Sequence, residues 1–391
     1  MADEVLNDDQ SLAALPRGFG VSKKLLLRPL ALSSGRAAIM LVQAGAALPL
    51  AGGTLAFSAC EAITRDMNGV ARRIPASLHA LRAWAKNEGK PVQDLLAQTL
   101  DRLSRPRPGV GKLSMDVPRI MGVVNVTPDS FYDGGRYASP SQAIARGREL
   151  MAQGADIIDV GGESTRPGAT PVSETEERAR VIPVIEALVA AGATVSIDTR
   201  HAPIMREAVA AGAGIINDIG ALAGDQTLAT AAKLKTPIVL MHGTADASKA
   251  VDPRTMQDSP RYEDVVLDVY SYLEARVVRC EAAGIGRDNL IIDPGIGFAK
   301  TPAHNAAILE ALTLFHGLGC AVLLGVSRKS FIARFSAGEP ADQRLPGSLA
   351  AAQWCATQGV QILRVHDVAE TRQALAVAAT AADPRLLPAT A

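Results

Sequence analysis

Eight short apolar runs lie between residues 119 and 367, and each stops at a polar group. They are Ile120–Asn125, Ile157–Glu163, Thr194–Asp198, Ile215–Asp218, Ile238–His242, Leu290–Asp293, Ala321–Ser327 and Gln361–His366. Helix-length segments separate most of them. Strand and helix in alternation argue for a parallel sheet with crossover helices. Eight such units predict a closed (β/α)8 TIM barrel, whose chemistry sits at the carboxyl ends of the strands. The polar run ends therefore converge on one rim, and the pattern is that of an enzyme.

The chain has 391 residues, more than the ~250 of one barrel, so an additional N-terminal α/β extension is expected. Lys+Arg and Asp+Glu both number 40. That balance gives no general attraction to nucleic acid or to an anionic membrane, so anion binding must be local. Cys60, Cys280, Cys320 and Cys355 show no C-x-x-C pairing or metal-ligand spacing and read as reduced thiols. Met-Ala-Asp-Glu lacks the basic start of a signal peptide, and the apolar stretch 38–52 is interrupted and shorter than the ~20 residues of a spanning helix. The expectation is a cytoplasmic protein.

Residues 1–18 are polar and expected to be disordered, and 19–110 form an extension with no chemical motif. Within it, 75–104 repeats Leu78, Leu81, Trp84, Leu95, Leu96, Leu100 and Leu103 at helical spacing. Arg105-Pro-Arg-Pro-Gly109 breaks that pattern, and the barrel is expected over 118–385.

Asn125 ends the first run and offers an amide oxygen to a hard cation, although a lone Asn there is more often a turn cap. The loop after it carries Asp133 and the Gly134-Gly135 pair, and is flexible enough for a lid. In Asp159-Val-Gly-Gly-Glu163-Ser-Thr165-Arg166-Pro167-Gly168, the glycines let backbone approach a ligand, and Thr165 and Arg166 suit an anion. Asp198, Asn217 and Asp293 could form a row of donors and acceptors for a flat heterocycle with amino and lactam groups. Arg364 and His366 share a strand face, a clamp for phosphate oxygens, and a planar Arg also stacks on rings. His242 alone among the other histidines ends a run, and its role is open. No Walker loop, G-x-S-x-G elbow, H-E-x-x-H pair or GxGxxG fingerprint occurs in a supporting context.

With these motifs in order, residues 118–385 closely resemble dihydropteroate synthase. The resemblance rests on Asn125-Val-Thr-Pro-Asp-Ser-Phe, Gly162-Glu-Ser-Thr-Arg-Pro-Gly168, Ser196-Ile-Asp-Thr, Ile216-Asn-Asp, Thr255-Met-Gln, Asp293-Pro-Gly, Ser327-Arg-Lys-Ser and Arg364-Val-His-Asp. It implies joining of 6-hydroxymethyl-7,8-dihydropterin diphosphate to 4-aminobenzoate, with release of diphosphate. It implies that Asp198, Asn217, Asp293 and Lys329 hold the pterin, and that Arg364 and His366 bind the diphosphate. Asn125 is the implied ligand of Mg2+, and Asp133 and Arg166 belong to two loops that close over the reaction. Thr165, Pro167, Phe298, Lys329 and Ser330 are implied to shape the 4-aminobenzoate pocket. A homodimer through the last barrel helices and competition by sulfonamides are further implications.

The chain departs from the family at three places. Ile296 and Ala299 stand where Phe and Gly are frequent, the stretch from Met241 to Gln257 is long, and residues 1–115 lie outside the common core. Two rival readings are a methyltetrahydrofolate–corrinoid methyltransferase on the same barrel and an inactive paralogue acting as a binding subunit. The cations of Ser327-Arg-Lys-Ser and Arg364-Val-His366 favour the synthase, because a diphosphate leaving group needs them and a methyl transfer does not.

Overall fold

The computed structural model describes residues 15–19, 24–65, 70–126, 139–163, 172–243 and 262–387. The chain divides into two compact units. One comprises residues up to Pro106 with Thr313–Gly319, the other Arg107–Leu312 with Cys320–Ala391. The expected disorder of 1–18 falls largely on residues outside those described.

The first unit is an antiparallel sheet with helices. Its elements are β1 (Leu26–Ser33), α1 (Gly35–Gln43), β2 (Leu48–Pro49), β3 (Ala56–Arg65), β4 (Ala71–Ser77), α2 (Leu78–Glu88) and α3 (Lys90–Ser104). β3 is central, pairing with β1, β2 and β4. The helical spacing over 75–104 is therefore divided between a strand end and two helices. Pro75 belongs to β4, and Ser77 caps α2 by accepting the Ala80 N–H at 3.1 Å. Gly89 then takes φ +102°, a conformation costly for a side chain, and separates α2 from α3. Leu81, Trp84, Leu96 and Leu103 bury against Phe57, Cys60 and Ala62. Each such side chain contributes ~1.5–3 kcal/mol on leaving water. Thr313 Oγ1 donates to the Pro29 carbonyl at 2.9 Å within this unit.

The second unit is the barrel. Its strands are β5 (Arg119–Asn125), β6 (Ile157–Gly161), β7 (Val195–Asp198), β8 (Ile215–Asp218), β9 (Ile238–Met241), β10 (Leu290–Asp293), β11 (Ala321–Gly325) and β12 (Ile362–Val365). They pair in parallel in chain order, and β12 closes onto β5. The helices are α4 (Pro140–Ala152), α5 (Glu174–Ala190), α6 (Ala202–Ala210), α7 (Asp225–Leu234), α8 (Val265–Ala282), α9 (Pro302–Glu310), α10 (Ser330–Phe335), α11 (Leu345–Thr357) and α12 (Val368–Ala382). All eight expected runs are strands. Several end one or two residues early, because the terminal polar residues turn into the loops.

Side chains alternate along a strand, so one in two faces the barrel axis. Met121, Ile157, Ile215, Val239, Ile291, Ala321, Leu323 and Ile362 fill the amino-terminal end of the barrel, closed by Val110 and Met115. Two residues further on, the same faces carry Val123, Asp159, Asn217, Met241, Asp293, Gly325 and Arg364. The interior thus changes from apolar to polar within one layer, which sets the site at the carboxyl rim. Among the described residues no helix is long and apolar enough to cross a membrane.

Candidate active site

Strand register assembles the rim. Asn125 pairs with Gly161, Gly161 with Asp198, and Asp198 with Asn217. Gly161 leaves the space between its neighbours open. A Cβ there would stand 3.5 Å from the Asp198 Cβ and 3.6 Å from Asn125 Oδ1. The next residue, Gly162, serves packing: a Cβ would lie 2.7 Å from the Val181 side chain of α5.

Arg364 occupies the middle of the barrel. Its Nε donates to Asp159 Oδ2 at 2.6 Å and its Nη2 to Asp198 Oδ2 at 2.9 Å. Asn217 Nδ2 donates to the same Asp159 oxygen at 3.1 Å. Asp159 is buried and was given no role by the sequence. It lies inside an apolar run rather than at its end, and the available signal was a carboxylate two residues from inward-facing Ile157, where only a cation or donors could satisfy it. Its Oδ1 has no hydrogen-bond partner among the described residues. Burial would lower the Arg364 pKa, but the Asp159 and Asp198 charges outweigh it and raise the pKa. Burial pushes Asp198 up to about 7 against the pull of Arg364, with Asp159, Glu177 and Asp218 adding to the rise. One guanidinium cannot neutralise two enclosed carboxylates.

The opposite side of the rim is cationic. Asp293 Oδ1 accepts the Gly295 N–H at 2.7 Å, as a turn cap does, and its other oxygen takes no hydrogen bond from a described residue. Burial raises the Asp293 pKa, opposed by Lys329. Lys329 donates to the Ile296 carbonyl, and its Nζ lies 4.6 Å from the centroid of the Phe298 ring. Burial lowers Lys329 to about 8, against the attraction of Asp293. Lys300, also without a role in the sequence reading, donates to His242 Nδ1 at 2.9 Å and to the carbonyls of Gly295 and Phe298. This accounts for His242: burial and Lys300 keep it neutral, its pKa well below the usual value. Ser330 is exposed at the start of α10.

His366 stands one residue beyond the end of β12 at Val365. The His366 N–H donates to Ser327 Oγ at 3.2 Å, and its Nδ1 lies 3.0 Å from the same hydroxyl. Arg328 is paired with Asp367. Asp133, Thr165, Arg166 and Pro167 lie outside the described residues, as does the long stretch 244–257.

The donor set suits a metal that shares its ligands with a substrate. The Asn125 side chain makes no hydrogen bond to a described residue, and its oxygen faces the space beside Gly161. No group of three His, Cys, Asp or Glu able to hold a metal occurs among the described residues. One amide oxygen in an open mouth fits Mg2+, which keeps waters and takes phosphate oxygens, and does not fit a caged zinc.

Comparison with known proteins agrees with this geometry. Residues 121–366 match the pterin binding enzyme family. The dihydropteroate synthase of Escherichia coli K12 is 45% identical over 266 residues, covering 68% of this chain and 92% of that protein. A Yersinia pestis dihydropteroate synthase in a sulfonamide drug complex superposes with TM-score 0.64 at 43% identity, over 68% of this chain and 94% of the other. A Xanthomonas albilineans dihydropteroate synthase in complex with 7,8-dihydropteroate gives TM-score 0.62 at 44% identity, over 71% and 98%. An in-register polar rim, a guanidinium held between two carboxylates and this degree of identity lead to one conclusion: the chain belongs to the pterin binding enzymes and, among them, to the dihydropteroate synthases.

Proposed function

We infer that the chain condenses 6-hydroxymethyl-7,8-dihydropterin diphosphate with 4-aminobenzoate to give 7,8-dihydropteroate and diphosphate. The observation that carries this is the Arg364 guanidinium, fixed by Asp159 and Asp198 beside Asn217. Two of its nitrogens are committed, which leaves Nη1 and the planar face for a ligand. In this reading the free oxygens of Asp293 and Asp198 accept the amino and ring N–H groups of the pterin, and Asn217 and Lys329 complete its polar edge. Arg364 stacks on the ring and, with His366, meets the diphosphate. Phe298, Lys329 and Ser330, with Thr165 and Pro167, form the arylamine pocket. Asp133 and Arg166 act from the loops that close it.

The chemistry asks little of a protein base. The methylene C–O bond breaks, the electron pair leaves with the diphosphate, and the pterin spreads the positive charge. The aniline nitrogen forms the new C–N bond and its proton passes to solvent. Arg364 and His366 stabilise the charge that develops on the departing oxygens in an enclosed site, where such interactions count most. Positioning of the two rings supplies much of the remainder. Asn125 would hold Mg2+, which when bound neutralises charge on the diphosphate.

The same reading takes the chain to be a cytoplasmic homodimer. All four cysteines are unpaired and buried, as suits a reducing compartment. An apolar groove of about 600 Å3 between α9, α10 and α11 is bordered by half-exposed Phe335 and Trp354, a face that a second copy would cover. The test of function is diphosphate release by purified protein. It should require both substrates and stop when a chelator removes Mg2+. Release without 4-aminobenzoate at the same rate would contradict the reading.

A further inference from the structure

The loop that follows β10, Gly295-Ile-Gly-Phe-Ala-Lys300, is built in an expensive conformation. Gly295 and Gly297 have φ of +70° and +83°, and Ala299, which has a Cβ, has φ +46°. The loop runs against the end of β9 so closely that a Cβ on Gly295 would lie 1.9 Å from the His242 carbonyl oxygen. Such a backbone persists only where its surroundings hold it.

Four of the six carbonyls of the loop are held by side chains. Lys300 Nζ donates to Gly295 O at 2.9 Å and to Phe298 O at 3.0 Å. Lys329 donates to Ile296 O, and the Tyr262 hydroxyl donates to Ala299 O at 2.9 Å. Gly297 N donates to Asn305 Oδ1 at 2.8 Å, and Phe298 N to Gly295 O at 3.1 Å. The Lys300 ammonium also lies 2.9 Å from His242 Nδ1 and 3.3 Å from His242 O. His242 is itself fixed: its N–H donates to Asp293 O at 2.9 Å, and its ring meets Tyr272 edge-on at 4.8 Å. Lys300 thus joins a rigid strand end to the loop that presents Phe298. Lys300 spends its ammonium on backbone and a neutral imidazole, and no carboxylate among the described residues forms an ion pair with it.

We propose that Lys300 is a positioning residue for the arylamine: its ammonium ties the Gly295–Phe298 loop to His242 and so sets the Phe298 ring over which Lys329 lies. The proposal rests on the assignment of Phe298 to the 4-aminobenzoate pocket. It gives the ammonium a role in substrate selectivity without contact with substrate. Burial, offset in part by Asp293, lowers Lys300 to about 7, in keeping with a cation enclosed for its hydrogen bonds.

The experiment compares wild type with Lys300→Met, Lys300→Arg and Tyr262→Phe. In Lys300→Met the KM for 4-aminobenzoate should rise about tenfold or more while the KM for the pterin diphosphate changes far less. Lys300→Arg, which keeps the charge, should recover part of the loss. Tyr262→Phe, which frees only Ala299 O, should shift the same KM less and serves if Lys300→Met does not fold. Amide exchange should quicken about tenfold in the peptide 295–300 of Lys300→Met and stay unchanged in β10. Equal rises in both KM values, or unchanged exchange in the loop, would overturn the proposal. A wild type that makes no dihydropteroate would instead sink the functional reading, and the exchange result would still decide whether Lys300 holds the loop.

Discussion

Arg364 and Asp159, 205 residues apart in sequence, meet at 2.6 Å in the centre of the barrel. The contact exists because β12 closes on β5 and β6 lies next to β5, so an inward residue of each reaches the axis. Asp159 holds Arg364 on one side and Asn217 on the other through a single oxygen. It is the hinge of the polar layer, and it lies too deep to belong to the rim itself.

Asp159→Asn is therefore expected to impair pterin use without direct contact with substrate. It removes the charge that fixes the Arg364 Nε and replaces it with a weaker acceptor. A hydrogen bond to a charged group contributes ~1.5–3 kcal/mol. The kcat/KM for the pterin diphosphate should fall roughly 10- to 150-fold by steady-state kinetics. Wild-type kcat/KM would show that Asp198 alone positions Arg364.

Asp198 gives a pH dependence with a definite sign. Its carboxyl in the free site is pushed up from 3.8 to about 7, chiefly by burial. Pterin N–H donors favour the carboxylate, so binding must release a proton wherever the free enzyme carries one. Affinity should rise with pH up to about 7 and level off above it, losing up to tenfold per unit below. Calorimetry in buffers of different ionisation enthalpy should detect the proton, and Asp198→Asn should abolish both effects. The same shift acts on the empty fold in the opposite sense. A raised folded pKa contributes stability that is full below the unfolded value and is lost as pH rises through about 7.

The barrel was legible because its strands are buried on both faces and stop at polar residues, a pattern that needs only local sequence. The rim residues Asn125, Asp198 and Asp293 were legible for the same reason, since each ends its run, and Asn217 stands one residue before the end of its own. Asp159 and Lys300 were not, because their roles depend on distant partners: Asp159 on Arg364, Lys300 on His242, 58 residues away. The contact of His366 with Ser327 was not legible either, because that hydroxyl lies 39 residues away, beyond the end of β11. In the first unit, leucine spacing gave the helical content but not the break at Gly89, where backbone conformation rather than hydrophobicity decides.

The groove beside α10 gives a prediction about assembly. Phe335 is 49% exposed and Trp354 46%, and the groove they border is lined mostly by apolar side chains and alanines. A charge at Phe335 would have to be desolvated in any interface formed there. Phe335→Glu should convert a dimer to a monomer by light scattering after gel filtration, while the isolated chain keeps its melting behaviour, because Phe335 is already half in water. A wild type that is monomeric at micromolar concentration would remove the dimer from the reading.

The loop after β10 predicts opposite outcomes at two positions four residues apart. At Gly295 a methyl group has nowhere to go: its Cβ would sit 1.9 Å from the His242 oxygen, and that oxygen is backbone, fixed by the pairing of β9 with β10. The φ of +70° adds strain of its own. Gly295→Ala should lower stability by about 3 kcal/mol or more, or prevent folding, by thermal or chemical denaturation. Gly286→Ala is the control, since nothing lies within 4 Å of that Cβ. At Ala299 the sign reverses. Its φ of +46° costs an L-residue ~1–2 kcal/mol that glycine does not incur, and the greater freedom of glycine when unfolded returns part of this. Ala299→Gly should therefore be neutral to stabilising, by up to about 1 kcal/mol. If Ala299→Gly instead destabilises by as much as Gly295→Ala, the left-handed conformation at Ala299 is not that of the folded protein in solution.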